Sequence, residues 1–112
     1  MSTWEPDAAT EWGGRPVARK IADAVPRGRV IATGTIRDTA TVSVGGTRSC
    51  SSVLDDGSSR VVLLFVGRPT IPGMVSGARC SIEGTARVQG GRLVVWNPLY
   101  RFEQPDPAQR DE

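Results

Sequence analysis

Ala32-Thr33-Gly34-Thr35-Ile36-Arg37 and, fifty residues on, Ile82-Glu83-Gly84-Thr85-Ala86-Arg87 share the pattern Gly-Thr-x-Arg, each glycine set in the middle of a β-forming run. A glycine inside a strand costs stability unless the strand bends sharply there or another backbone comes close. Two long strands that bend at matched glycines are what a small barrel needs where it closes on itself. Around the first glycine, Val30, Ala32, Gly34 and Ile36 fall on one face and Ile31, Thr33, Thr35 and Arg37 on the other. That alternation marks a strand with one buried face.

Working outward, the same signals predict five strands, over about residues 29–39, 48–54, 60–66, 78–88 and 92–97. Asp55-Asp56-Gly57-Ser58 reads as a turn and Gln89-Gly90-Gly91 as a tight hairpin between the last two strands. Residues 67–77, with Pro69, Pro72 and Gly73, are too rich in proline for a regular helix. Thr41-Val42-Ser43-Val44-Gly45-Gly46-Thr47 reads as a polar loop; without a lysine it does not match a phosphate-binding P-loop. Five strands with the wider connection between the third and fourth predict an all-β fold, a five-stranded Greek-key OB-fold barrel. The barrel takes residues 28–102, preceded by an irregular segment over 1–27 and followed by an acidic tail over 103–112. Within the first segment Val17, Ile21 and Val25 recur every fourth residue after Pro16, which leaves room for one short helix over 16–25. Trp4 and Trp12 stand isolated before it.

At 112 residues the chain holds one core. Its longest apolar run, residues 61–66, is far short of the roughly 20 residues a spanning helix needs. The first residues lack the basic start and apolar stretch of a secretory signal, so a cytoplasmic protein with no membrane association is expected. The sequence contains no histidine and only two cysteines, Cys50 and Cys80, both in strand-like runs. Histidine-dependent nucleophilic and general-base relays are unavailable, and a four-ligand structural zinc site cannot be assembled within one chain. The expectation is a protein without enzymatic activity, cofactor or metal, its cysteines buried as thiols.

The net charge of +2 conceals an asymmetry. Residues 28–101 carry nine arginines against four carboxylates, whereas residues 102–112 carry one arginine against four. A basic barrel suits a polyanionic partner. Thirteen of the fourteen basic residues are arginine, a bias that a G+C-rich genome also produces.

Taken together, Val30-Ile31-Ala32-Thr33-Gly34-Thr35-Ile36, the stretch from Leu54-Asp55-Asp56-Gly57 to Phe65, Pro72-Gly73-Met74-Val75-Ser76-Gly77, Ile82-Glu83-Gly84 and Asn97-Pro98-Leu99-Tyr100 resemble the tRNA-anticodon and helicase group of OB-fold nucleic-acid-binding domains. Within it the chain looks most like the small stand-alone OB-fold proteins of G+C-rich bacteria and, more distantly, the wedge domain of RecG-type helicases. The resemblance implies binding of single-stranded or junction DNA or RNA over the second and third strands, between the loops that join strands one and two and strands four and five. Binders of single strands usually offer aromatic platforms there. This barrel has Phe65, Trp96 and Tyr100, and its second strand presents Ser49, Ser51 and Ser52.

In the third strand, alternation assigns Val61, Leu63 and Phe65 to the interior and Arg60, Val62, Leu64 and Val66 to the outside, an outer row too apolar for a solvated face. With Leu93 and Val95 inward, Val94 and Trp96 of the fifth strand extend that row, Trp96 serving either as structural cover or as a stacking platform. Arg37, Arg48, Arg87 and Arg92 bracket the two loops and are expected to converge on one rim, as guanidiniums for phosphate. The candidate binding residues are therefore Arg37, Arg48, Arg60, Val62, Leu64, Arg87, Arg92 and Trp96. The alternative is an interaction module whose apolar third-strand face binds another protein or a second copy.

Overall fold

In the computed structural model of the chain, residues 17–103 are described, so Trp4, Trp12 and nearly all of the acidic tail lie outside them. The strands are β1 (Val17–Ala18), β2 (Arg29–Val44), β3 (Thr47–Asp55), β4 (Arg60–Phe65), β5 (Arg79–Gln89), β6 (Arg92–Trp96) and β7 (Leu99–Phe102). β2 pairs with β3, β3 with β4, β6 with β5, and β5 back with β2, all antiparallel, while β4 lies parallel to β6. The ring β2-β3-β4-β6-β5 is thereby closed, each of its strands pairing on both sides over part of its length, while the outer half of the β2–β3 hairpin extends beyond it.

Alternate residues fill the interior: Val30, Ala32 and Ile36 from β2, Cys50 and Leu54 from β3, Val61, Leu63 and Phe65 from β4, Cys80, Ile82 and Ala86 from β5, and Val95 from β6. Ile71 and Met74 of the proline-bearing connection join them. Both cysteines are buried free thiols, and burial pushes the Cys80 thiol up against the opposing effect of a backbone hydrogen bond from Arg101. The two glycines sit where chains come close. A Cβ on Gly34 would stand 2.3 Å from the carbonyl oxygen of Asp55, and one on Gly84 would stand 2.4 Å from Val95 Cγ1. They lie at opposite ends of one ladder, Gly34 facing Cys80 and Gly84 facing Val30.

Three stretches differ from the sequence reading. The loop expected over residues 41–47 is mostly strand: Thr41-Val42-Ser43-Val44 continues β2, and the reversal is confined to Gly45-Gly46, at φ 56° and 83°. Residues 16–25 hold no α-helix among the described positions but β1, parallel to the start of β2, and a single 3-10 turn over Ile21–Asp23. Its N–H groups are taken by the β3–β4 turn: Ile21 donates to Asp56 Oδ2 at 2.9 Å and Ala22 to Ser58 Oγ at 3.1 Å. Of the three residues spaced by four, only Ile21 is buried; Val17 is half-buried and Val25 is exposed. Finally, the fifth predicted strand does not end the sheet. Asn97, at φ 49°, and Pro98 break it, and the chain resumes as β7 against the first half of β5, from Glu83 opposite Leu99 to Cys80 opposite Phe102.

Candidate functional site

The alternation of β4 holds. Val61, Leu63 and Phe65 are buried, and Val62 and Leu64 face outward half-buried beside exposed Arg60. Register carries this outer row across the barrel. Val53 and Ser51 of β3 stand opposite Val62 and Leu64, and Val94 and Trp96 of β6 lie beside the same pair. On β5, Arg87 stands opposite Val94 and Gln89 opposite Arg92. An apolar strip of Val53, Val62, Leu64, Val94 and Trp96 thus crosses three strands, half-buried throughout except at Val94, which is buried.

Long polar side chains border the strip. Arg60 and Arg92 line a groove of about 320 Å³ together with Asp38, Val53 and Val62. The Arg87 guanidinium carbon lies 6.0 Å from the Trp96 ring centroid, and the Trp96 indole N–H donates to Gln89 Oε1. Arginine stems cover apolar surface in this way while their charged heads stay in water. Asp55 draws in two of the arginines, accepting from Arg60 Nε at 3.1 Å and facing Arg37 Nε at 3.6 Å. The Gly57 N–H holds the Asp55 carboxyl below its ordinary value; burial opposes this, and Arg60 and Arg37 add to it. Arg87 and Arg92 have no carboxylate within ion-pair distance among the described residues.

Seven of the eight candidate residues therefore gather about this face. Arg48 does not. It pairs with Ser43 near the tip of the β2–β3 hairpin, seven residues from Asp55, or about 23 Å at roughly 3.3 Å per residue, and alternation puts it on the face of Cys50 and Ser52. The serines also differ from expectation. Ser49 and Ser52 are fully buried. Ser49 accepts the Gly67 N–H at 3.1 Å and Ser52 shares a hydrogen bond with Thr39 at 3.2 Å, so only Ser51 faces outward. Of the three aromatic rings expected, Phe65 belongs to the core. Tyr100 packs edge-on against Phe65 at 5.4 Å and Phe102 at 5.7 Å, with Arg68 above it. Trp96 is the ring that the outer face presents.

Arg27 and Gln89 were missed from sequence. Beside Trp96 they line a cleft of about 590 Å³ with Pro26, Thr85 and Arg87. Gln89 could have been found, because it precedes the hairpin glycines on the alternation of Arg87. Nothing local marks Arg27, whose place depends on pairing with β5.

Comparison with solved structures settles the fold. The chain is similar to RecG in a structure of RecG bound to a three-way DNA junction, with a TM-score of 0.65 and 20% identity over 82% of this chain. It is also similar to the crystal structure of yeast Stn1 and Ten1, with a TM-score of 0.54 and 11% identity over 68% of this chain. The fold is the OB-fold barrel. At these identities the likeness establishes architecture, and the chain spans 13% of the RecG chain and 43% of the other. No protein-family model and no curated protein matches it.

Proposed function

We propose that this chain is a non-catalytic, cytoplasmic nucleic-acid-binding module that engages single-stranded or junction DNA or RNA across the outer face of β3, β4 and β6. The observation that carries the reading is the apolar strip ending in Trp96 and bordered by Arg87 and Arg92. These two arginines face no acidic partner among the described residues. Unpaired bases need a π-face or apolar surface to rest on, and the phosphates between them need mobile cations. The solved RecG structure, with its DNA junction, supports the same reading. With a single outward ring, the face suits contact with a few bases rather than the tracking of a long strand.

A second reading, an interface for a protein partner or a second copy, is favoured by Val62 and Leu64, which are apolar and only half-buried. The two separate in one experiment. Fluorescence anisotropy at low salt, with labelled single-stranded DNA, single-stranded RNA, duplex and a three-way junction, should show binding to the unpaired or branched forms above duplex. Absence of binding to all four would reject the nucleic-acid reading in favour of the protein interface.

A further inference from the structure

Along the first half of β2 the even-numbered residues Val30, Ala32, Gly34 and Ile36 are buried, and the same alternation would carry Asp38 inward. A β-bulge prevents this. Ile36 stands opposite Leu54 but Asp38 opposite Val53, so Arg37 is the extra residue and the parity of the strand reverses. Asp38 is thereby exposed on the outer face, at the end of one cross-strand row: Val53 lies opposite it, Val62 opposite Val53, Val94 beside Val62 and Arg87 opposite Val94. Bulges re-aim side chains in this way and are over-represented beside functional sites. The row has an apolar floor with a carboxylate at one end and a guanidinium at the other.

Asp38 lines the groove of about 320 Å³ with Val53, Val62, Arg60 and Arg92. Among the described residues no arginine stands within ion-pair distance of it, and Arg37 and Arg60 both turn to Asp55, at 3.6 and 3.1 Å. An ionised carboxylate only accepts hydrogen bonds, and it repels phosphate. Within a DNA strand the donors lie on the base edges. Guanine alone sets two donors side by side there, its N1–H and its N2 amino group, to match the two oxygens of a carboxylate. In adenine and cytosine a ring-nitrogen acceptor adjoins the amino group, and in thymine the N3–H lies between two carbonyls. We propose that Asp38 reads an unpaired guanine in this groove, accepting from N1–H and the N2 amino group while the ring rests on Val53 and Val62. The inference rests on the nucleic-acid reading and gives that face its base preference. Hydrogen bonds to an ionised acceptor are the strong ones, so one such contact suffices to discriminate.

The test uses a short labelled thymidine oligonucleotide with one central guanine, and the same strand with hypoxanthine, adenine or cytosine in that place. Hypoxanthine keeps the N1–H and lacks the amino group. In anisotropy titrations the wild type should bind the guanine strand roughly five- to hundredfold more tightly than the adenine or cytosine strand, with hypoxanthine between. In Asp38→Ala the ratio of guanine to adenine affinity should shrink to about twofold or less, with an unchanged circular dichroism spectrum. The ratio is the reading to follow, because relief of phosphate repulsion tightens every strand alike and cancels in it. A ratio that Asp38→Ala leaves unchanged, or a wild type that binds all four strands equally, would overturn the guanine inference and leave the nucleic-acid reading standing. If no strand binds, both fall.

Discussion

Gly34 and Gly84 occupy the same place in a repeated sequence pattern, yet they answer to different neighbours. A Cβ at Gly34 meets the backbone of Asp55 and Asp56, which cannot rotate away; one at Gly84 meets the side chain of Val95, stiff but not immovable. Gly34→Ala should therefore destabilise the protein by about 3 kcal/mol, the upper end for overpacking, and Gly84→Ala by less. Gly84→Val adds two further methyl groups beside Val95 and should reach the severity of Gly34→Ala. Thermal melts of the three variants check the order, and a Gly84→Val protein melting like wild type would contradict it. That a glycine was required at each position was legible in the sequence; which neighbour requires it was not, because Asp55 and Val95 are brought there by pairing far along the chain.

The elements were legible wherever one face is buried. β2 as far as Ile36, β4 and the first part of β5 alternate, and the interior sets of β2 and β4 stand where the pattern placed them. Legibility failed where exposed strand and loop have the same composition, as at residues 41–44, and where a strand resumes after a break. The break itself is specified locally. Asn97 donates its backbone N–H to the Leu64 carbonyl, and its side-chain Oδ1 accepts the Val66 N–H at 2.9 Å while its φ is 49°. Asn97→Ala should cost about 1–2 kcal/mol, with Asn97→Gly recovering part of it through the backbone alone; urea melts would measure both.

The β3–β4 turn has a second duty that the sequence reading missed, since Asp56 also ties down the segment before the barrel. Burial raises the Asp56 carboxyl, but hydrogen bonds from the Ser58 hydroxyl and the Ile21, Ser58 and Ser59 N–H groups outweigh it, so the group titrates below its ordinary value. A carboxylate depressed on folding contributes stability that is complete above its unfolded value, about 3.9, and is lost as pH falls through the lower folded value. Asp56→Asn should thus melt below wild type at neutral pH, with the gap closing below about pH 4. A gap independent of pH would show that the charge of Asp56 does not matter.

At the scale of the whole molecule, closure of the ring sets a half-buried apolar strip on one side and gathers seven candidate residues around it, while sending Arg48 to the far end of a hairpin longer than its sequence suggested. The candidate face was legible because inside and outside alternate along β4, although β6 buries Val94 as well as Val95; the rim was misjudged because arginines near loop ends were expected to meet at one place. This difference makes the central claim testable by contrast. Arg48→Ala should leave affinity for single-stranded DNA within about twofold of wild type. Arg87→Ala/Arg92→Ala should weaken it and lower the slope of log Kd against log salt by about two, one for each lost phosphate contact, with an unchanged circular dichroism spectrum. The direct measurement is that slope, from anisotropy titrations of wild type and the two variants between 50 and 200 mM salt. A reduced slope for the double variant alone is the predicted result, and three equal slopes would contradict the assignment of this face to nucleic acid.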